Sequence, residues 1–224
     1  MMRAKAVVSW SSGKDSAWAL QVVRAAGDLE VVGLLTTVTD AYSRVSMHGV
    51  REALLERQAE EIGLPLTKIR IPAPCPNEVY ERLMRAALLT FKEQGVTSVV
   101  FGDLFLADLK EYREARLVEV GMKGEFPLWL RDTASLAREM IAGGLQARLS
   151  CVDPKKLDRS FAGRTFDEEL LRDLPAGVDP CGENGEFHSF AWAGPMFRHP
   201  IPIQVGEVVE RDGFVFADLV PVKS

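Results

Sequence analysis

The chain has 224 residues, 47% of them hydrophobic, enough to bury the core of one large domain or two modest ones. Its 27 basic and 32 acidic residues leave a formal charge of −5, which gives no general electrostatic attraction to nucleic acid. Cys75, Cys151 and Cys181 form no C-x-x-C pair, no apolar run nears the roughly 20 residues that span a bilayer, and no signal-peptide core precedes the first motif. The expectation is a cytoplasmic protein without a disulfide framework, a membrane segment or a nucleic-acid partner.

Apolar runs bounded by turn signals occur at "AKAVVSW", "EVVGLLTTV", "LTKIRI", "TSVVFGD" and "QARLSCV", each the length of a buried strand. Helical patterns lie between most of them. Trp18, Ala19, Val22 and Val23 follow Asp15; Val50, Ala53, Leu54 and Ile62 follow Gly49, with Glu52, Glu56 and Glu60 outward; Val79, Leu83, Ala86, Ala87 and Phe91 make a third face. Strands alternating with helices predict an α/β fold with a parallel sheet covered on both faces. Beyond about residue 125 the pattern changes. "RDTASLAREMIAGG" reads as a helix capped by Asp132 or Thr133, and "TFDEELLRDLPAG" opens with a capping box of Thr165 and Glu168. From Glu186, "EFHSFAW", "MFRHPIPIQV", "GEVVER" and "FVFADLV" read as short antiparallel strands, the last two joined at "RDG". A smaller α+β portion is therefore expected beside the first sheet.

The stretch "SWSSGKDSAW" carries the chemistry. A Walker loop needs G-x-x-x-x-G-K-[ST], but Val8 stands at the first glycine and Asp15 at the magnesium-binding hydroxyl. What remains is a strand ending at Ser9, a turn of small residues through Ser11, Ser12 and Gly13, and a helix starting near Asp15. Unpaired amides at a helix start suit a phosphate, with Lys14 and the hydroxyls of Ser11, Ser12 and Ser16 adding charge-assisted hydrogen bonds. A plain strand-to-helix turn is the alternative. The position after the first strand, where an open α/β sheet places its ligand crevice, favours the phosphate.

"SSGKDS" resembles the S-G-G-K-D-S loop of the PP-loop ATP pyrophosphatases, and "GDLFLADLKEYREARL", "FPLWLRDTASLAREMIAGG" and "CGENGEFHSF" are similar to one branch of them, the diphthine-ammonia ligase family. The resemblance implies a Rossmann-like, adenine nucleotide alpha-hydrolase type sheet domain over residues 1–124, a smaller α+β domain over 125–224, and ATP with Mg2+. The activity it implies is that of an AMP-forming ligase. A carboxylate attacks the α-phosphorus of ATP, pyrophosphate leaves, and ammonia or an amine then displaces AMP to form an amide. The implied partners are ATP, a carboxylate-bearing substrate and a nitrogen donor, with a homodimer left open. Adenylation of another oxygen acceptor and a non-catalytic adenine nucleotide sensor are the alternatives. Two departures stand out. Ser12 replaces the family's first glycine, and phosphate binding is expected to survive if it keeps an ordinary φ. His188 stands where members that make diphthamide are expected to carry an acid, which leaves the substrate open.

"DPCGENGEFHS" supplies Asp179, Glu183, Asn184, Glu186 and His188, and in an alternating strand Glu186, His188, Phe190 and Trp192 share one face. This is a candidate cradle for a polar substrate, or else a solvated turn. The expected catalytic residues are Lys14, Asp15, Glu183, Glu186 and His188. The nucleotide is expected at Ser9, Ser11, Ser12, Gly13, Lys14, Asp15, Ser16, Gly102 and Asp103. The resemblance adds Thr36, at the end of the second strand, and His48 within "MHG" at 47–49 for the adenine and ribose. Asp15 and Asp103 are the candidate magnesium donors, although Asp103 also reads as a helix cap. Arg113 and Arg116 read as surface partners of Glu111 and Glu119, or else as facing the phosphates.

Overall fold

The structure, a computed structural model, describes residues 3–40, 44–45 and 48–222. The first apolar run forms β1 (Ala4–Ser9), and the helical pattern behind Gly13 forms α1 (Lys14–Ala26), stopped by a left-handed Gly27. β2 (Leu29–Thr39), β4 (Leu66–Ile71) and β5 (Val96–Val100) follow at the other predicted runs. Between them lie α2 (Glu52–Ile62) and α3 (Asn77–Glu93). α4 (Ala107–Glu119) then leads to β6 (Lys123–Glu125). The pairs β1–β2, β1–β5, β2–β4 and β5–β6 are all parallel. Each side chain on β1 turns to the face opposite its neighbour's. Ala6 and Val8 therefore join Leu20, Leu54 and Leu55 under α1 and α2. Val7 joins Leu88, Phe91 and Leu117 under α3 and α4.

β2 outlasts β1, whose register ends at Ser9 opposite Leu35. β4 occupies one edge of β2 up to Thr39, so the short β3 (Arg44–Val45), antiparallel to Val38 and Thr39, takes the edge that β1 has vacated. This brings the segment before α2 over the end of β1. Neither β3 nor β6 is long enough to show a period in the sequence. Thr36 lies within β2 rather than at its end, because β4 extends the pairing to Thr39.

The second sheet contains β7 (Gln146–Val152), β8 (Phe187–Ala193), β9 (Ile203–Arg211) and β10 (Phe214–Pro221), in the order β8-β7-β10-β9 and antiparallel throughout. The two strands expected at "IPIQV" and "GEVVER" are one, β9, which runs through Gly206. Asp212 and Gly213 both have positive φ, 52° and 81°, as a two-residue hairpin of the right twist requires. α5 (Thr133–Ala142) is capped by Asp132, which accepts from the Ser135 amide at 2.8 Å. α6 (Glu168–Asp173) is capped by Asp167, not Thr165, because the Asp167 carboxylate reaches the Leu170 amide at 2.8 Å. Leu149, Phe187, Phe190 and Leu219 of this sheet belong to the same core as α1 and α2, so one continuous apolar interior backs both sheets. Among the described residues, no helix is long and apolar enough to cross a membrane.

The strand order reverses between β1 and β5, and their carboxyl ends open the crevice where such sheets hold ligands. Gly102, just past β5, fixes its floor. A Cβ there would stand 2.7 Å from the Asp15 carbonyl carbon and 2.8 Å from the Ser16 nitrogen, both backbone atoms that cannot swing aside. Gly102→Ala should therefore lower stability by about 1–3 kcal/mol, as overpacking does, read as a lower urea midpoint with an unchanged slope.

Candidate functional site

The turn between β1 and α1 is built from backbone upward. Ser12 has a φ of +69°, a left-handed conformation that costs a non-glycine residue roughly 1–2 kcal/mol. The ordinary φ expected at Ser12 is therefore not kept. The reason lies in what the twist achieves: the Ser12 carbonyl accepts from the Ala191 amide of β8 at 3.0 Å and from Gln58 Nε2 at 3.0 Å. Among the described residues, the Ser12 hydroxyl is buried without a partner. Gly13 caps α1 with extended backbone, and a Cβ there would meet His48 Cε1 at 3.1 Å and the Ser189 carbonyl oxygen at 3.2 Å. The Gly13 amide donates to Ser11 Oγ at 3.3 Å and the Lys14 amide to Ser189 Oγ at 3.2 Å. Ser11 and Ser16 share a hydrogen bond at 3.1 Å. Both hydroxyls that receive these amides can rotate to donate instead.

Lys14 is 2% exposed, and its side chain runs under the second sheet. Its ammonium donates to Asp15 at 2.8 Å and to the Cys181 carbonyl, between the rings of Phe166 and Phe187 at 5.5 and 5.3 Å. Burial works against this cation, but Asp15, Cys181 and Glu183 together hold its pKa above the ordinary lysine value. It stays charged.

Glu183 accepts from the Leu104 amide at 2.7 Å, and burial, with Asp15 and Asp103 adding to it, raises its pKa to about 7. Asp103 is not a helix cap, since α4 begins at Ala107 behind Leu106. Its carboxylate pairs with Arg113 Nε at 2.8 Å, in place of the expected Arg113–Glu111 contact; burial raises its pKa, Arg113 opposes this, and Asp15 adds to it. Arg116 does meet Glu119, at 2.9 Å. Asp15, Asp103 and Glu183 thus form one electrostatically coupled set, though among the described residues no group of three or more His, Cys, Asp or Glu is arranged to hold a metal ion.

Glu186 precedes β8 instead of lying on the face of His188. One of its oxygens accepts from the Asp179 amide and Asn184 Nδ2, both at 3.1 Å, and the other is buried without a partner among the described residues. The His188 and His48 rings lie with centroids 4.6 Å apart, tilted by 38°. Burial lowers the His48 pKa to about 3, helped by His188 and Lys14, and burial and Lys14 lower that of His188 to about 4. His188 opens on a cavity of about 380 Å3 lined also by Thr39, Gly49 and Phe216. Thr36 is buried in β2 opposite Lys68, Ser9 lies at the end of β1, and Met47 is outside the described residues.

Three contributors were missed from sequence. Gln58 is wholly buried, accepts from Trp10 Nε1 at 2.8 Å and donates to Ala191 O at 2.6 Å as well as to Ser12. Ser189 meets the Lys14 amide, and the Cys181 carbonyl meets its ammonium. Ser189 lay inside the quoted motif; Gln58, one polar residue on a helix face, carried no signal.

Comparisons with known proteins identify the family. Residues 4–124 match the family model of the diphthamide synthase N-terminal domain, and residues 132–217 that of the diphthamide synthase C-terminal domain. The chain is 28% identical to a diphthine–ammonia ligase of Homo sapiens, over 96% of this chain and 88% of that protein. It is 29% identical to one of Danio rerio, over 92% and 89%. One of Schizosaccharomyces pombe is 31% identical over 47% of this chain and 19% of that protein.

Two measurements probe the site. Ser12→Gly relieves left-handed strain and a buried, unpaired hydroxyl, against about 0.5–1 kcal/mol of added chain entropy, so a net gain of about 1 kcal/mol is expected in chemical denaturation. Imidazole NMR should show His48 and His188 neutral at pH 6 and titrating only near pH 3 to 4. Because both pKa values fall below the unfolded value of about 6.5, their contribution to stability is full above pH 6.5 and is lost as pH falls to about 4 for His188 and about 3 for His48.

Proposed function

Because the chain belongs to the diphthamide synthase family, we propose that the turn from Ser9 to Ser16 grips the β- and γ-phosphates of ATP as a leaving group, roofed by the loop from Asp179 to Ser189. The chain is an ATP-dependent carbon–nitrogen ligase of the diphthine–ammonia ligase type. An oxygen of the acceptor carboxylate attacks the α-phosphorus, the bond to the bridging oxygen of the β-phosphate breaks, and pyrophosphate departs. Ammonia then attacks the acyl carbon, the acyl–oxygen bond breaks, and AMP leaves with the amide formed.

The observation that supports this division of work is the burial of the Lys14 cation between the two motifs, since one charge then faces both the phosphate turn and the Glu183 loop. The amides of Gly13 and Lys14, now held by Ser11 and Ser189 hydroxyls, would turn to the departing phosphates, with Lys14 neutralising charge as it develops. A base for the attacking nitrogen works best with a pKa near the operating pH. Glu183, at about 7, suits that role; His188, at about 4, is too weak a base and is left to orient the nucleophile. Glu186, tied to Asp179 and Asn184, positions the loop. Asp15, part-exposed, and Asp103 are hard oxygen donors of the kind magnesium takes alongside phosphates and waters. They would hold the ion, which neutralises triphosphate charge when bound. Residues 1–124 act as the nucleotide domain and 125–224 as a smaller α+β domain of a cytoplasmic enzyme, and a homodimer is compatible with this reading.

With ATP, an acceptor and ammonia, the products should be AMP and pyrophosphate; ADP and phosphate would overturn the assignment. Lys14→Ala should cut kcat/KM by about 100-fold or more. In Glu183→Gln the rise of kcat/KM through pH 7 should flatten, and a persisting limb would remove Glu183 from the role of base.

A further inference from the structure

The second sheet ends in two different edges. At β8 the edge meets the first sheet, where the Ala191 amide donates to the Ser12 carbonyl, but among the described residues no strand pairs with the outer edge of β9. Every residue of β9 from Gln204 to Arg211 is exposed. Val205, Val208 and Val209 are exposed together on this one strand, whereas Leu89, Val118 and Leu130 reach solvent from separate elements. Edges that stay single are ordinarily guarded by lysine or proline. Between Ile203 and Arg211 there is neither.

The hairpin fixes which backbone groups that edge offers. Arg211 and Phe214 close the two-residue turn as a hydrogen-bonded pair, so alternation along the strand turns the N–H and C=O of Glu210 and Val208 outward. An irregularity opposite Asp218 interrupts the ladder below Val208, which leaves Val208–Arg211 regular with Glu207 at its end. A second β9 laid antiparallel about a twofold axis can use the outward groups in three registers. Centred on Glu210, two like carboxylates oppose each other. Centred on Val208, Glu207 faces a valine and Glu210 a glycine. Centred on Val209, Val208 exchanges hydrogen bonds with Glu210 of the partner subunit, and Glu207 lies opposite Arg211 of the partner subunit, twice over. Opposite charges directly across an antiparallel pair stabilise it and like charges do the reverse, so the charges select the third register.

We propose that the occupant of this edge is a second copy of the chain, paired antiparallel through β9 with the twofold axis at Val209, so that the two second sheets join into one. The Val209 side chains then meet across the axis, and Val205 and Val208 extend the apolar contact. Val209 and Arg211 also line the cavity of about 380 Å3 onto which His188 opens. The partner strand therefore stands at the mouth of that cavity. The contact is short, so association is reversible and depends on concentration.

The test is sedimentation velocity of the full chain over a micromolar concentration series, with the urea midpoint of each variant as the check on folding. The mass should rise from monomer to dimer. Glu207→Arg and Arg211→Glu should each weaken the dimer about tenfold or more, because each sets two pairs of like charges face to face, and the variant carrying both should recover it, since the reversed charges are again opposite. In a Cys75→Ser background, Val209→Cys should cross-link to its own copy on oxidation, and Val205→Cys, which the register places away from the axis, should not. A monomer at every concentration overturns the proposal. So does a dimer indifferent to both single reversals, a double variant that stays as weak as the singles, or a Val209→Cys chain that forms no cross-link.

Discussion

The carbonyl of Ser12 is where three parts of the chain meet. It accepts from the Ala191 amide of the second sheet and from Gln58 of α2, and Gln58 in turn holds Trp10 and the Ala191 carbonyl. A buried amide with both its oxygen and its nitrogen engaged costs little, whereas one left unpaired costs about 1–3 kcal/mol per group. The junction therefore holds as a unit. Left-handed backbone at Ser12 is the strain that aims the carbonyl, and the surrounding bonds keep it in place.

Electrostatics then follow from where that junction puts Lys14. Under the second sheet, the cation has the Asp15 carboxylate, the Cys181 carbonyl and two ring faces in place of water. Burial, helped by the same cation, disfavours protonation of His48 and His188, and burial, helped by Asp15 and Asp103, raises the Glu183 pKa against the pull of Lys14. Burial around one retained cation thus sets neighbouring acids and imidazoles apart, the arrangement expected where proton transfer is divided among several groups.

Much of the fold was legible because the five apolar runs and the glycine stops are local signals, and each marks an element. The parallel order followed from alternation alone. What the sequence hid were features fixed by partners far along the chain. β3 exists only because β2 runs beyond β1. Asp103 reads as a cap but pairs with Arg113, since α4 begins three residues later than a cap at 103 would require. In the site, the turn and the loop from Asp179 to Ser189 were visible as polar clusters on glycine-broken segments, yet Gln58 and the Cys181 carbonyl were not, because one is a single residue and the other is backbone. Ser12 was visible as a departure, but its φ depends on Ala191 and Gln58.

The roof over the phosphate turn also bears on the order in which the molecule can be assembled. Lys14 and Ser189 are 175 positions apart, and Lys14 and Cys181 are 167 apart. A ribosome delivers the turn well before its covering strand, so while the residues between them are being made the early sheet is a platform without its lid. The turn then acquires its buried surroundings only once β8 has been made, and a product lacking β8 would carry the loop without the partners that hold it.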